Sequence, residues 1–267
     1  MAALKQRHIM NPIVAALVAT AALFAAFMVC VEIGFRIGLR NPERERPGIG
    51  VIEGAVFGLL ALLLAFTFGT GIAHLDSRRQ LVVVEANAIE VAYRRIDLLP
   101  PSDRADMRRL FVRYVDARVA AYRNPGGFEI REQAFAAAES IEDQIWQVAI
   151  RAWRGPSRPQ LTQLLVPALN DMFGIATERK VALSMHDPAL VLILLVGAGL
   201  MSCLIAGYAL SPGRGRSLLH TMIYSLTLAM TIYTVVDLDY PRFGLIRIDA
   251  ADRALLEIQE TIHAQVH

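Results

Sequence analysis

Two acids separated by one residue, Asp237 and Asp239, lie at the exit of the fourth apolar run. Calcium takes six to eight oxygen ligands, so two carboxylates do not make a calcium site. A structural role, with Arg242 or another arginine as partner, is the expected reading. The six histidines are scattered. No His-Glu-x-x-His, Walker lysine loop or Gly-x-Ser-x-Gly is present, so no enzyme chemistry, catalytic residue, metal site or cofactor is expected.

Other polar residues fall into stripes within apolar runs. Glu53, Phe57, Leu60, Leu64, Thr67, Gly71 and His74 follow helical spacing, polar at both ends and apolar in the middle. Such a stripe suits a pore that narrows to an apolar ring, which gates by dewetting. It equally suits a helix whose two ends meet the membrane interfaces. Rotated by about 100° on the same helix, Gly50, Gly54 and Gly58, continued by Ala61 and Ala65, form a small-residue stripe that lets helices approach closely, within or between subunits. His220, Tyr224, Thr227, Thr231 and Thr234 form a third stripe. Its hydroxyls suit either a hydrated path or bonds back to helix carbonyls and neighbouring helices. No acid lies in the middle of an apolar run, which argues against a proton-coupled pump.

The elements that carry these stripes are membrane helices. The 267-residue chain is 55% hydrophobic and 19% charged, with mean hydropathy +0.41 and net charge +2. This excludes a disordered or nucleic-acid-coating protein. All but Lys5 and Lys180 of the basic residues are Arg. Runs 13–31, 54–73, 188–210 and 218–236 each approach the roughly 20 residues needed to cross a bilayer. The first continues into Glu32 and Arg36, four apart and able to pair, and reads as a retained helix rather than a signal peptide. Cys30 and Cys203 fall inside apolar runs and read as packing residues.

The expected fold is all-α: four transmembrane helices and an extramembrane helical bundle inserted between the second and third. The segments are 1–74, the first two spans; 75–187, the helical domain; 188–236, the last two spans; and 237–267, a turn and an amphipathic helix. In the domain, Leu81, Val84, Ala88 and Val91 are expected on a buried helix face that stops at Leu99-Pro100-Pro101, and Ser102 is expected to cap the next helix. Ala138, Ile141, Ile145, Val148 and Ala152 mark another buried face. No proline interrupts 51–98, which predicts one rod about 70 Å long. The terminal helix, with Ala251, Leu255, Ile258, Ile262 and Val266 on one face, is expected to dock on the helical domain.

Local motifs add a resemblance. They are Leu63-Leu64-Ala65-Phe66, Glu85-Ala86-Asn87-Ala88-Ile89 with Tyr93-Arg94, Leu98-Leu99-Pro100, and Asp237-Leu238-Asp239-Tyr240-Pro241-Arg242-Phe243-Gly244. Together they resemble the bestrophin-like family of bacterial and plant membrane proteins, distantly similar to the bestrophin anion channels. The resemblance implies a homo-oligomer, a pentamer by analogy, that passes small ions, expected to be anions, through a bilayer. Phe57, Leu60 and Leu64 of the second span would stand in for the hydrophobic neck, and Pro241 to Gly244 for a turn after the fourth span. The dense acidic calcium clasp of animal bestrophins is missing, so calcium gating is not expected. Basic residues on the two sides are nearly tied. The analogy resolves the tie, placing the helical domain and both termini in the cytoplasm of a bacterial inner membrane. The alternative is a non-conducting scaffold or sensor whose helical domain recruits a partner. Asp237 and Asp239 are expected to meet an arginine among Arg78, Arg79, Arg94 and Arg95.

Overall fold

The computed structural model describes residues 12–40, 49–123, 128–154, 159–185, 188–211, 217–239 and 249–265. The described residues form helices and no strand: α1 (Pro12–Leu39), α2 (Ile49–Arg95), α3 (Pro101–Arg123), α4 (Phe128–Arg154), α5 (Pro159–Ser184), α6 (Ala189–Ala209), α7 (Leu218–Asp239) and α8 (Asp249–Ala264). Four helical stretches are long and apolar enough to cross a membrane. The expected rod is present: α2 is one helix of 47 residues, about 70 Å at 1.5 Å per residue. A 3₁₀ turn, Ile96–Leu98, ends it before Pro100. Arg104 clamps that turn by donating to the carbonyls of Asp97 and Leu99. Helix α3 starts at Pro101, where a missing N–H costs nothing, so Ser102 lies inside the first turn rather than capping it.

The chain divides into two compact units, residues 1–75 with 186–247 and residues 76–185 with 248–267. In the first, α1 and α6 run side by side in the same direction. Phe27 lies against Gly199, Val31 against Gly207, Gly34 against Leu204, and Gly38 against Ser211. A Cβ on Gly34 would sit 1.9 Å from the Leu204 carbonyl oxygen, and one on Gly207 would sit 2.0 Å from that of Val31. Only glycine permits this contact between backbones. Phe27, Val31, Leu60, Leu195, Cys203, Leu228 and Ile232 form the core, and Cys30 packs on its edge. Both cysteines are free thiols. Glu32 and Arg36 pair at 2.8 Å on the exposed side of α1.

In the second unit, the predicted face of α4 is buried in full, from Ala138 to Ala152. Leu165, Ala168 and Met172 of α5, and Met107, Phe111, Tyr114 and Val115 of α3, are buried in the same unit. Helix α8 lies on α3, with Leu255 and Ile262 buried, while Gln259 and His263 hold the Asp116 carboxylate. The expected buried face of α2 is corrected here. Val82, Glu85, Ala86, Ile89 and Ala92 turn inward, whereas Val84 and Val91 are exposed. This helix has two apolar faces, and spacing alone does not choose between them.

Candidate functional site

The stripe from Glu53 to His74 is the side of α2 that packs within its own unit. Leu60 and Thr67 are each only 5% exposed, and Leu64 packs on the core cluster. The Thr67 hydroxyl donates to the Leu63 carbonyl, 2.8 Å. Gly71 faces Leu238 of α7, and His74 Nδ1 lies 3.6 Å from Asp239 Oδ1. Glu53, Phe57, Leu64 and His74 are half-buried. Continued at helical spacing, the stripe reaches Val82, Glu85, Ile89 and Ile96, also buried. A pore wall must be open to the pathway, and Leu60 and Thr67 are closed off by their own unit. The opposite side of α2 is open: Leu62 is 52% exposed and Phe66 66%.

The small-residue stripe has the converse position. A Cβ on Gly50, Gly54 or Gly58 would meet nothing within 4 Å. Among the described residues these glycines make no tight packing. The glycines that do are Gly34, Gly38 and Gly207, of which the Gly34-x-x-x-Gly38 spacing was the available signal.

Asp237 and Asp239 belong to the last turn of α7, not to a turn after it, and are 4% and 1% exposed. Carboxylates at a helix C-terminus oppose the helix dipole. At Asp237 a local donor offsets this, the Tyr233 hydroxyl donating at 3.1 Å, while His74 Nδ1 stands 3.6 Å from Asp239 Oδ1, beyond hydrogen-bond reach. Of the arginines expected nearby, Arg78 donates to the carbonyls of Ala182 and Met185, Arg95 to that of Leu164, Arg94 pairs with Glu90, and Arg79 lies near Asp76. Pro241, Arg242 and Gly244 lie outside the described residues. Replacing Asp237 and Asp239 by Asn should lower the melting temperature of the purified protein, because the bond from Tyr233 to the Asp237 carboxylate is charge-assisted and such a bond contributes about 1.5–3 kcal/mol. A double variant that keeps its size and melting temperature but loses ion flux would instead make these acids an ion-binding site.

The hydroxyls of α7 mostly turn back onto helices. Thr231 donates to the Thr227 carbonyl and Thr234 to that of Met230, both at 2.8 Å. Tyr224 bonds Ser202 of α6 at 3.0 Å, and His220 meets Ser217.

Spacing did not reveal a buried ionic cluster in the second unit. Glu85 of α2 is fully buried between two guanidiniums. Arg118 Nε of α3 donates to one carboxylate oxygen at 2.5 Å, and Arg179 of α5 donates to the other at 2.6 Å. Arg118 also donates to the Tyr122 hydroxyl and the Ala176 carbonyl, while Arg179 stacks 3.4 Å from the Tyr122 ring centroid. Burial is the largest single influence and disfavours the Arg118 charge, but the Glu85 carboxylate and its hydrogen bond, together with Tyr114 and Tyr122, outweigh it and raise the pKa. Nearby, burial raises the pKa of Glu142, which accepts a bond from buried Tyr114 at 3.1 Å. The cluster ties α2, α3 and α5 together at one point. A signal was present: Glu85 is a lone acid in the apolar run 81–89, and a buried charge needs partners.

A chain whose described residues are helical, with four stretches able to cross a bilayer, is in class a multi-span α-helical membrane protein. It belongs to the Bestrophin-like domain family, which matches residues 21–252. Solved structures share the fold. A bacterial bestrophin homologue from Klebsiella pneumoniae, in a tyrosine-to-alanine variant, aligns with TM-score 0.67 and 11% identity, over 92% of this chain and 98% of its own. A tryptophan-to-alanine variant aligns with TM-score 0.66 and 11% identity, over 94% and 98%. A structure described as a membrane protein, in a leucine-to-alanine variant, aligns with TM-score 0.62 and 12% identity, over 90% and 97%. No curated protein matches the sequence.

Proposed function

We propose that this chain assembles into a homo-oligomeric ion channel, selective for anions, with α2 of each copy around the axis and five copies by analogy with bestrophins. The observation that carries the proposal is the family match across most of the chain, supported by a near-complete fold match to bacterial bestrophin homologues.

Exposure along α2 supports a specific wall. The apolar constriction is assigned to Leu62 and Phe66, four residues apart on the open side, in place of the expected Phe57, Leu60 and Leu64. The exposed stripe Gly50, Gly54 and Gly58 is assigned to contacts between neighbouring copies of α2, where small residues let backbones approach. Leu62→Ala with Phe66→Ala should raise single-channel conductance or leak at least severalfold in planar bilayers, because an apolar ring that is wider and less hydrophobic stays wet. Unchanged currents would remove these two residues from the wall.

The second unit and both termini are assigned to the cytoplasm of a bacterial inner membrane. An Asn124→Cys variant should resist an impermeant maleimide in intact cells and react after lysis. Labelling without lysis would reverse the orientation.

A further inference from the structure

Several acids of the second unit are held by cations. Glu85 takes Arg118 and Arg179, Asp97 takes Arg108, Asp103 and Asp106 take Arg151, and Glu139 pairs with Lys180 of α5 at 2.6 Å. Glu142, one turn after Glu139 on α4, is half-buried, and among the described residues no cation lies within ion-pair distance of it. It accepts instead from the hydroxyl of Tyr114 on α3, at 3.1 Å. The Tyr114 side chain is fully buried, and its ring stands edge-on to Phe111 of α3 and Phe173 of α5. The hydroxyl is therefore fixed, and burial holds its pKa well above the ordinary tyrosine range, so it remains a donor.

We infer that Glu142 and Tyr114 form a proton-operated latch between α4 and α3: the ionised carboxylate draws its part of α4 toward water at higher pH, and the neutral acid seats α4 on α3 at lower pH. The half-buried carboxyl takes its proton from solvent, and Tyr114 then donates to its carbonyl oxygen. Five influences act on Glu142. Burial is the largest and raises its pKa, the Tyr114 bond and Arg118 of α3 lower it, and Glu139 of α4 and Glu85 of α2 raise it. Arg118 is already engaged by Glu85, and the α5 cation nearby, Lys180, by Glu139. The charged form is thus the one this site disfavours. A carboxyl with a folded pKa above its unfolded value stabilises the fold as pH falls through the folded value, and keeps that gain below the unfolded one. Acid therefore tightens the α3–α4 contact until the paired carboxylates begin to lose their charge. The latch depends on the second unit alone and not on the channel reading.

The protein carries its own reporter. Its two tryptophans, Trp146 and Trp153, both lie on α4, and Trp146 is half-buried one turn beyond Glu142. The test uses the full-length protein in liposomes with Trp153→Phe, so that Trp146 alone emits. Its emission should shift to the blue as pH falls from about 8 to about 5, the span in which buried carboxyls titrate. Glu142→Gln, neutral at every pH, should give the blue-shifted spectrum throughout. Over the same span the melting temperature with Glu142 intact should rise by roughly 2–4 °C relative to Glu142→Gln. Tyr114→Phe keeps the ring and removes the donor that favours the charged form, so the midpoint of the shift should move to higher pH. A merely structural bond would not move that midpoint. Emission that ignores pH with Glu142 intact, a Glu142→Gln variant that keeps the pH response, or a Tyr114→Phe midpoint that stays or moves to lower pH overturns the latch. The first of these measurements needs no change at Glu142 or Tyr114, so it decides even where those variants do not fold.

Discussion

Glu85→Gln should be the most damaging single substitution in the second unit, destabilising it by about 3–5 kcal/mol, the range for breaking a buried ion pair from one side. The carboxylate is fully buried, and each of its oxygens takes a guanidinium donor, from Arg118 at 2.5 Å and Arg179 at 2.6 Å. Gln keeps the shape but removes the one negative charge between two cations, leaving their repulsion without a counter-charge. Arg179→Met should cost less, since it leaves a neutral Glu85–Arg118 pair. Thermal unfolding of the purified variants reads the difference directly. Equal losses would mean that shape and stacking on Tyr122, rather than charge balance, dominate the cluster. Because Glu85 lies on α2, the helix assigned to the pore, the cluster also holds that helix in place against α3 and α5. Function should therefore fall with stability in Glu85→Gln.

The second large effect is expected where α1 crosses α6. Gly34→Ala and Gly207→Ala should each cost about 1–3 kcal/mol, the range for overpacking a filled interior. The new methyl would lie 1.9 Å or 2.0 Å from a backbone oxygen, so whole helices must separate rather than a side chain rotate. Gly54→Ala and Gly58→Ala supply the contrast. Both face open space in the protomer, so protomer stability should stay within about 0.5 kcal/mol, as for surface changes. The population of oligomer should shift instead. Thermal melts paired with native mass spectrometry separate the two effects. Equal destabilisation at all four glycines would place the α2 stripe in the same kind of contact as the α1–α6 crossing.

These two predictions rest on features that differ in how visible they are before folding. The spans were legible because an apolar run long enough for a bilayer has few other uses. The α4 face was legible because a single stripe leaves one choice, and Ala138, Ile141, Ile145, Val148 and Ala152 are all buried. Helix α2 offered several stripes, since apolar residues cover most of its circumference in the membrane segment. Periodicity marks each stripe but does not say which one meets the rest of the chain; on the Glu53-to-His74 face, Leu60 and Thr67 are buried within the first unit while Phe57 and Leu64 are half-buried. Long-range ionic pairing is harder still. Arg118 and Arg179 are 33 and 94 residues from Glu85, and no local pattern links them. The acids at 237 and 239 were expected to pair with an arginine of α2, and the contacts described for them are with Tyr233 and His74. Their placement shifted because α7 runs on to Asp239 instead of ending at the edge of its apolar run.

The central claim is that the chain forms an anion-conducting pore. The most direct measurement is the reversal potential of purified protein in planar bilayers under a potassium chloride gradient. The account predicts single-channel currents that reverse near the chloride equilibrium potential and change in size with Leu62→Ala and Phe66→Ala. Reversal near the potassium potential would contradict the selectivity. A protein that is oligomeric in the bilayer and carries no current at any voltage or pH would contradict the channel itself.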